Sequence, residues 1–213
     1  MSFYQNNGFL GSISIVTRNI LIINFIVWLA CSIFHYRGVF LANYLALWPI
    51  ESGFFKLHQL ITFMFTQVDF WHLFFNMFAV YMFGRVLEQY WRGKRFLSYY
   101  MICGIGSGLI QLLVCYLTGS LSPTVGASGA VFGILLAFGM LFPNVPLYLM
   151  FIPIPIKAKY FVFFYGLLEI YLGFANRAGD NIAHFAHVGG MLFGILMVLY
   201  WRNKDKKNGI YRF

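Results

Sequence analysis

Charged side chains are scarce in this sequence of 213 residues: 10% are Asp, Glu, Lys or Arg, whereas 61% are hydrophobic. A water-soluble domain of this size has too small an interior for so much apolar surface, so a soluble fold is excluded. The apolar residues recur in runs of roughly the 20 residues that a helix needs to cross a bilayer. The composition therefore predicts an all-α, multi-pass integral membrane protein whose first partner is the lipid bilayer.

Cysteine is also rare, and its placement argues against two kinds of site. The three cysteines, Cys31, Cys103 and Cys115, are odd in number and lie within apolar runs. They show neither disulfide spacing nor zinc-ligand spacing, so we interpret them as small buried hydrophobic residues. No metal ion and no cofactor is expected.

Acidic residues number only six against 15 lysines and arginines, which gives a net charge of +9. The topology predicted below places all basic residues on one side except Arg37, Lys56 and Arg177. This asymmetry is the positive-inside pattern, so the basic charge indicates contact with anionic lipid headgroups and not a nucleic-acid partner. We expect a bacterial inner membrane, with both termini cytoplasmic.

The hydrophobic runs predict six transmembrane helices in a single domain over residues 1–213, at 17–35, 70–90, 96–117, 127–142, 160–175 and 183–201. The apolar connection 36–69 is expected to lie partly in the membrane interface. Prolines, which lack an amide donor, should break the connection between the fourth and fifth helices. These are Pro143, Pro146, Pro153 and Pro155.

A serine between glycines opens the fourth predicted helix, in Gly126-Ala127-Ser128-Gly129. The pattern is close to the Gly-x-Ser-x-Gly elbow of soluble hydrolases, with the second glycine one residue earlier and without flanking strands. Free amides and the positive dipole end at a helix start favour an alkoxide and a developing oxyanion. The alternative is that small residues here only allow close helix packing.

The sixth predicted helix carries His187, with Gly190 and Gly194 on the same stripe. A histidine within a span is costly enough to indicate function, and the glycines allow another helix to approach closely. Gly129 and Gly133 offer a matching surface on the fourth helix, so His187 is the candidate base for Ser128. Because the aspartates Asp69, Asp180 and Asp205 lie in loops or the tail, a dyad is favoured over a triad.

Two further polar positions lie within spans. His72 and Asn76 are four residues apart on one helical face and could donate hydrogen bonds to an oxyanion. Equally, they could tie down the outer connection or a neighbouring helix. Glu169 is the acid deepest in a predicted span, and we interpret it as a structural brace, with a part in substrate gating as the alternative.

Together these motifs resemble the rhomboid family of intramembrane serine proteases, in order and in topology. The resemblance rests on His-x-x-x-Asn in the second helix, the serine between glycines at the start of the fourth, and Ala-His-x-x-Gly in the sixth. It implies a six-helix bundle with Ser128 as nucleophile, His187 as base, and an oxyanion hole from His72, Asn76 and the Ser128 amide. It further implies that Phe132 stacks on the catalytic histidine and that Glu88 braces the second and third helices.

The sequence departs from the family pattern at two places. Many relatives carry a Trp-Arg pair in the first outer connection, where this chain has His58-Gln59, so the conformation of that connection is open. His184 stands where some relatives have asparagine, and we expect it to meet the loop before the fourth helix or to organise water.

The predicted function is hydrolysis of peptide bonds in or beside transmembrane segments of other membrane proteins. The alternatives are a catalytically silent rhomboid-like protein that binds membrane clients, and a transporter. The presence of both Ser128 and His187 disfavours the first. A transporter is disfavoured because the sequence shows neither paired broken helices nor a carboxylate cluster.

Overall fold

A computed structural model describes residues 13–149, 152–175 and 183–209. Five long helical segments correspond to five of the predicted spans: α1 (Ile15–Tyr36), the pair α4 (Phe70–Ala79) and α5 (Arg85–Trp91), α6 (Gly93–Thr118), α8 (Ala158–Ala175) and α9 (His184–Lys207). A π-helical stretch, Val80–Gly84, joins α4 to α5 without a break. The predicted helix at 127–142 corresponds to α7 (Ser128–Leu141).

Within the described residues, five helices are long and apolar enough to cross a membrane, with α4 and α5 counted as the single segment Phe70–Trp91. The shorter α7 has 14 residues and so extends about 21 Å, against about 30 Å of hydrocarbon in a bilayer. The all-α membrane bundle is thus confirmed, while the count of six spanning helices stays a prediction, as does a single domain over 1–213.

The bundle is apolar outside and partly polar inside, as expected for a protein solvated by lipid. Large apolar side chains of α1 and α8 are exposed, including Phe25, Ile26, Phe163, Phe164 and Phe174. Polar side chains are buried between the helices: Asn24, Gln67, Asn76, Glu88, Glu169, His184 and His187. Buried polar groups in such an environment need hydrogen-bond partners. Several of these groups lie in the site described below.

Helices α6, α7 and α9 pack most extensively, through glycines. A Cβ on Gly190 would overlap the backbone carbonyl of Gly129, and one on Gly133 would lie 2.6 Å from Cys103 Sγ. The Tyr99 hydroxyl of α6 donates to the Gly133 carbonyl at 2.8 Å. Because no side chain separates the backbones of α7 and α9, groups on the two helices can come within hydrogen-bonding distance.

The connection between α1 and α4 is folded, with two short helices, α2 (Leu41–Leu45) and α3 (Gln59–Thr62), and two 3-10 turns, Ile50–Ser52 and Phe63–Phe65. Its backbone holds the segment before α7: Leu47 and Thr124 exchange two hydrogen bonds of 2.9 Å, and the Gly126 amide donates to the Phe63 carbonyl at 2.9 Å. The connection therefore positions the residues that lead into Ser128.

Gln59 organises this connection at the place where many relatives carry Trp-Arg. Its side chain is 1% exposed; Oε1 accepts from the amides of Trp48 and Lys56, and Nε2 donates to the carbonyl of Phe54. A buried amide with partners for both of its ends can fix a loop without an arginine. Gln59 thus fixes the conformation of this connection, which the sequence left open.

The end of the bundle opposite the α1–α4 connection carries many of the basic residues, and two buried acids there join neighbouring helices. Asp205 near the end of α9 accepts two hydrogen bonds from Arg95 near the start of α6, at 2.9 and 2.8 Å. Glu88 accepts from the amides of Val16 and Thr17 and from the Thr17 hydroxyl. These amides lie in the first turn of α1 and have no partner within that helix. Glu88, on α5, therefore braces the second predicted helix against the first, and not against the third as the sequence suggested.

The proline-rich connection between α7 and α8 contains two antiparallel strands, β1 (Pro146–Leu149) and β2 (Ile152–Lys157), which sequence reasoning did not predict. Pro146 pairs with Lys157 and Leu149 with Ile152. In a two-stranded sheet each strand is an edge, so a proline that lacks an amide donor can face outward. The prolines end α7 as expected, but they do not prevent a hairpin.

Candidate active site

Ser128 is the first residue of α7, as the sequence predicts, and its side chain is half-buried. The turn before it depends on Gly126, whose φ of 126° is a conformation that other residues rarely adopt. The amides of the first turn of α7 point back toward this turn and have no helical partner. Since α7 is shorter than a bilayer is thick, Ser128 can lie below the membrane surface.

His187 lies beside Ser128, and the distance from His187 Nε2 to Ser128 Oγ is 2.8 Å. The close approach of α9 to α7 at Gly190 and Gly129 brings the two side chains together. The ring of Phe132, one turn after Ser128, stacks on the imidazole with centroids 4.3 Å apart and planes inclined by 10°. The predicted pairing, and the stacking that the family resemblance implied, are both present in the geometry.

Glu169 of α8 is the third member of this arrangement, which sequence reasoning did not place here. Its Oε2 atom lies 2.7 Å from Nδ1 of His187 and 2.7 Å from Nδ1 of His184. The sequence favours a dyad because no aspartate lies within a span. In the structure a carboxylate does contact His187, and it belongs to a glutamate on another helix, α8. His184 likewise contacts Glu169, a partner that sequence reasoning did not foresee. The sequence feature that could have indicated this contact is the position of Glu169 within a span, because a buried acid there needs a polar partner.

Glu169, His184 and His187 bring three groups together that could also bind a metal ion. Two ligands bound to one Zn²⁺ at its usual bond lengths lie roughly 3.3 Å apart. The observed nitrogen-to-oxygen distances of 2.7 Å are instead those of hydrogen bonds to a carboxylate. A metal-independent site stays our prediction, and EDTA should leave any activity unchanged.

His72, near the start of α4, lies next to the turn before Ser128. Its Nδ1 accepts a hydrogen bond from the Val68 amide at 3.2 Å, which leaves Nε2 as the protonated nitrogen of the neutral ring. Asp69 caps the helix by accepting from the His72 amide at 2.8 Å. A Cβ placed on Gly126 would lie 2.9 Å from His72 Nε2 and 3.5 Å from Ser128 Oγ, so the His72 donor faces the serine side of the turn.

Asn76 is one turn deeper, and its amide is engaged elsewhere. Asn76 Nδ2 donates to Gln67 Oε1 at 2.9 Å; Gln67 Nε2 donates to Asn24 Oδ1 at 2.8 Å; and Asn24 Nδ2 donates to the Ile20 carbonyl. This amide chain fixes Asn76 and leaves its second N–H available. The structure therefore places His72 against the turn that precedes Ser128 and holds Asn76 through Gln67 and Asn24, two residues that the motifs did not indicate.

The fold and this arrangement define a class: a helical membrane protein with a hydrogen-bonded serine and histidine among its helices. A model of the Rhomboid domain matches residues 55–204, well over half of the sequence. The chain belongs to the rhomboid family.

Several curated proteins are similar to the chain. It is 34% identical over 138 residues to Rhomboid protein 1, mitochondrial, of Saccharomyces cerevisiae, covering 64% of this chain and 39% of the relative. It is 27% identical over 151 residues to the human Presenilin-associated rhomboid-like protein, mitochondrial, covering 66% and 38%. It is 31% identical over 156 residues to RHOMBOID-like protein 12, mitochondrial, of Arabidopsis thaliana, covering 66% and 44%. The chain thus spans less than half the length of these relatives.

The expectation of a bacterial inner membrane is wrong in light of these comparisons. The relatives from yeast, human and Arabidopsis are all mitochondrial by name. The charge asymmetry on which the expectation rested distinguishes the two sides of a membrane, but it does not identify the membrane. The multi-pass part of the expectation agrees with the five candidate spans among the described residues.

Proposed function

We propose that this protein is a serine endopeptidase that cleaves peptide bonds in or next to transmembrane segments of other membrane proteins. The observation that carries the proposal is the 2.8 Å separation of Ser128 Oγ and His187 Nε2. This distance is short enough for direct proton transfer, which a serine hydroxyl needs in order to act as a nucleophile. Family membership supports the same reaction class.

In this mechanism Ser128 Oγ attacks the scissile carbonyl carbon while its proton passes to His187 Nε2. The carbonyl oxygen becomes an oxyanion, for which the candidate donors are the Ser128 amide, His72 Nε2–H and the second N–H of Asn76. His187 then returns the proton to the leaving amine, and an acyl-enzyme remains. Water, deprotonated by His187, attacks the ester and releases the second product and free Ser128. No step needs a cofactor.

The position of the site supports a membrane-embedded substrate. Ser128 opens a helix of 14 residues inside a bundle with an apolar outer surface, so a substrate arriving from the bilayer could reach it laterally. A substrate helix shields its backbone carbonyls by internal hydrogen bonds and must unwind locally before attack. Gly126, Gly129, Phe132 and Gly190 support the reaction by shaping the turn, the helix contact and the plane of the His187 ring.

The proposal is tested by incubating purified protein with a transmembrane model substrate and mapping the products by mass spectrometry. Cleavage within or beside the apolar segment is expected, together with labelling of Ser128 by a fluorophosphonate probe. Ser128→Ala is the control, because it removes one hydroxyl at little cost to packing, and it should abolish both signals. Cleavage by this variant at the wild-type rate would refute the assignment, as would a failure of the wild-type protein to cleave or to label.

A further inference from the structure

We propose that Glu169 is a positioning residue of the site: its carboxylate holds His187 in the tautomer that accepts the Ser128 proton, while His184 holds the carboxylate. This inference rests on the proposed function. It adds a third group to a site that the sequence motifs limit to serine and histidine.

The contacts of Glu169 support this role. Oε2 is 2.7 Å from His187 Nδ1 and 2.7 Å from His184 Nδ1, so one oxygen can accept a hydrogen bond from each ring. The side chains are almost fully enclosed, with 4% of Glu169, 6% of His184 and 8% of His187 exposed. Little water can compete for these hydrogen bonds, which therefore determine the orientation of both rings.

Helix packing holds the carboxylate at this position. Gly166 and Gly173 lie three residues before and four residues after Glu169, hence on the same face of α8. A Cβ on Gly166 would lie 2.9 Å from Met191 Cε, and one on Gly173 would lie 3.0 Å from the Phe185 ring, so α8 contacts α9 closely on both sides of Glu169. The short Glu169 side chain can thus reach both histidines.

The tautomer of His187 follows from its contact with Glu169, which acts as a hydrogen-bond acceptor. A carboxylate oxygen can only accept, so His187 must carry its proton on Nδ1 to form this bond. The neutral ring then has its lone pair on Nε2, which lies 2.8 Å from Ser128 Oγ and can accept the serine proton. After that transfer the ring is a cation beside the Glu169 carboxylate, an attraction that is strong in an enclosed site.

Phe132 and Glu169 restrain His187 in different ways. The stacked Phe132 ring restrains the plane of the imidazole, whereas Glu169 selects which nitrogen faces Ser128. Stacking alone would leave both tautomers and both ring orientations open. Glu169 therefore supplies the restraint on which general-base chemistry depends.

A buried carboxylate can also be a structural brace, and Glu88 provides the matched control. Glu88 is 5% exposed, and its hydrogen bonds are made to Val16 and Thr17, in the first turn of α1. Glu88→Gln and Glu169→Gln are the same change of a buried carboxylate to an amide. They differ in whether the lost charge faces the proposed base.

The experiment measures kcat, KM, the rate of fluorophosphonate labelling and the unfolding midpoint of both variants in detergent, with a transmembrane model substrate. Glu169→Gln should lower kcat and the labelling rate of the folded protein by up to about 10⁴, the loss seen when a triad carboxylate is removed, with KM near wild type. Glu88→Gln should lower the midpoint and leave kcat of the folded protein unchanged. A Glu169→Gln variant within threefold of wild type in kcat, or one losing kcat only in proportion to unfolding, would overturn the proposal.

Nitrogen NMR of ¹⁵N-histidine-labelled wild-type protein tests the tautomer without a variant. His187 should be protonated on Nδ1 and unprotonated on Nε2; the opposite tautomer would overturn the proposal even if Glu169→Gln failed to fold. Wild-type protein that neither cleaves nor labels would instead refute the proposed function, so the two failures are distinguishable.

Discussion

The backbone of Gly190 in α9 lies directly against the carbonyl of Gly129 in α7, so closely that a methyl group on Gly190 would overlap it. This contact lies one turn from His187 on α9 and one residue from Ser128 on α7. Of the glycine contacts between α7 and α9, the helices that carry Ser128 and His187, it is the tightest.

Gly190→Ala should therefore separate the two helices and disrupt the hydrogen bond between Ser128 and His187. We expect a loss of stability of roughly 1–3 kcal/mol, as for other overpacked cores, together with a large fall in kcat. Gly189→Ala is the control, since its Cβ would meet the side chain of Ile110 in α6 and not a backbone. Thermal unfolding and cleavage are measured for both; equal kcat values would contradict the role of the Gly190 contact.

His187 and His184 both bind Glu169, but only His187 has a hydrogen bond to Ser128. His187→Ala should reduce turnover to the level of Ser128→Ala because the proposed base is lost. His184→Asn keeps a side-chain N–H donor and should retain substantial activity. Turnover is measured in detergent on variants shown to be folded, and the reverse ranking would make His184 the base.

Gly126→Ala should impair catalysis through His72. The added Cβ would lie 2.8 Å from His72 Cε1, and the φ of 126° is strained for alanine. Gly119→Ala tests a positive φ without a steric clash, because Gly119 has a φ of 69°, in the left-handed region that alanine reaches at a modest cost, and nothing within 4 Å of its added Cβ. We expect kcat of Gly126→Ala to be at least tenfold lower than kcat of Gly119→Ala. Removal of one oxyanion donor typically lowers kcat by about 10² to 10³. Similar kcat values for the two variants would argue against an oxyanion role for His72.

Asn76→Ala should lower turnover by about 10² to 10³ if its free N–H reaches the oxyanion. It should also destabilise the fold by roughly 1–3 kcal/mol, because Gln67 Oε1 loses its buried donor. Gln67→Ala keeps the Asn76 amide but releases it from its position, so the fall in turnover should be smaller. Unchanged kcat with a raised KM in Asn76→Ala would exclude the oxyanion role.

Much of this protein follows from its sequence because the relevant signals are local. Scarcity of charge and apolar runs of bilayer length determine the membrane class. The observed helices begin within three residues of the predicted ones and end within one residue of them, except α9, which continues six residues beyond the predicted end to Lys207. Ser128 and His187 could be placed together because the glycines beside them lie on faces that helical periodicity defines, whereas the position of Phe132 followed from the family resemblance.

The tertiary structure alone decided how the helices are rotated against one another. Periodicity gives the face of α8 on which Glu169 lies, but not which face of α9 it meets, so the contact with His184 and His187 could not be predicted. For the same reason Gln67 and Asn24, which hold Asn76 from two other segments, gave no motif, and Glu88 was predicted to brace its helix against α6 when its partner is α1. A buried polar group must find a partner, but only the packed bundle determines which partner is within about 3 Å.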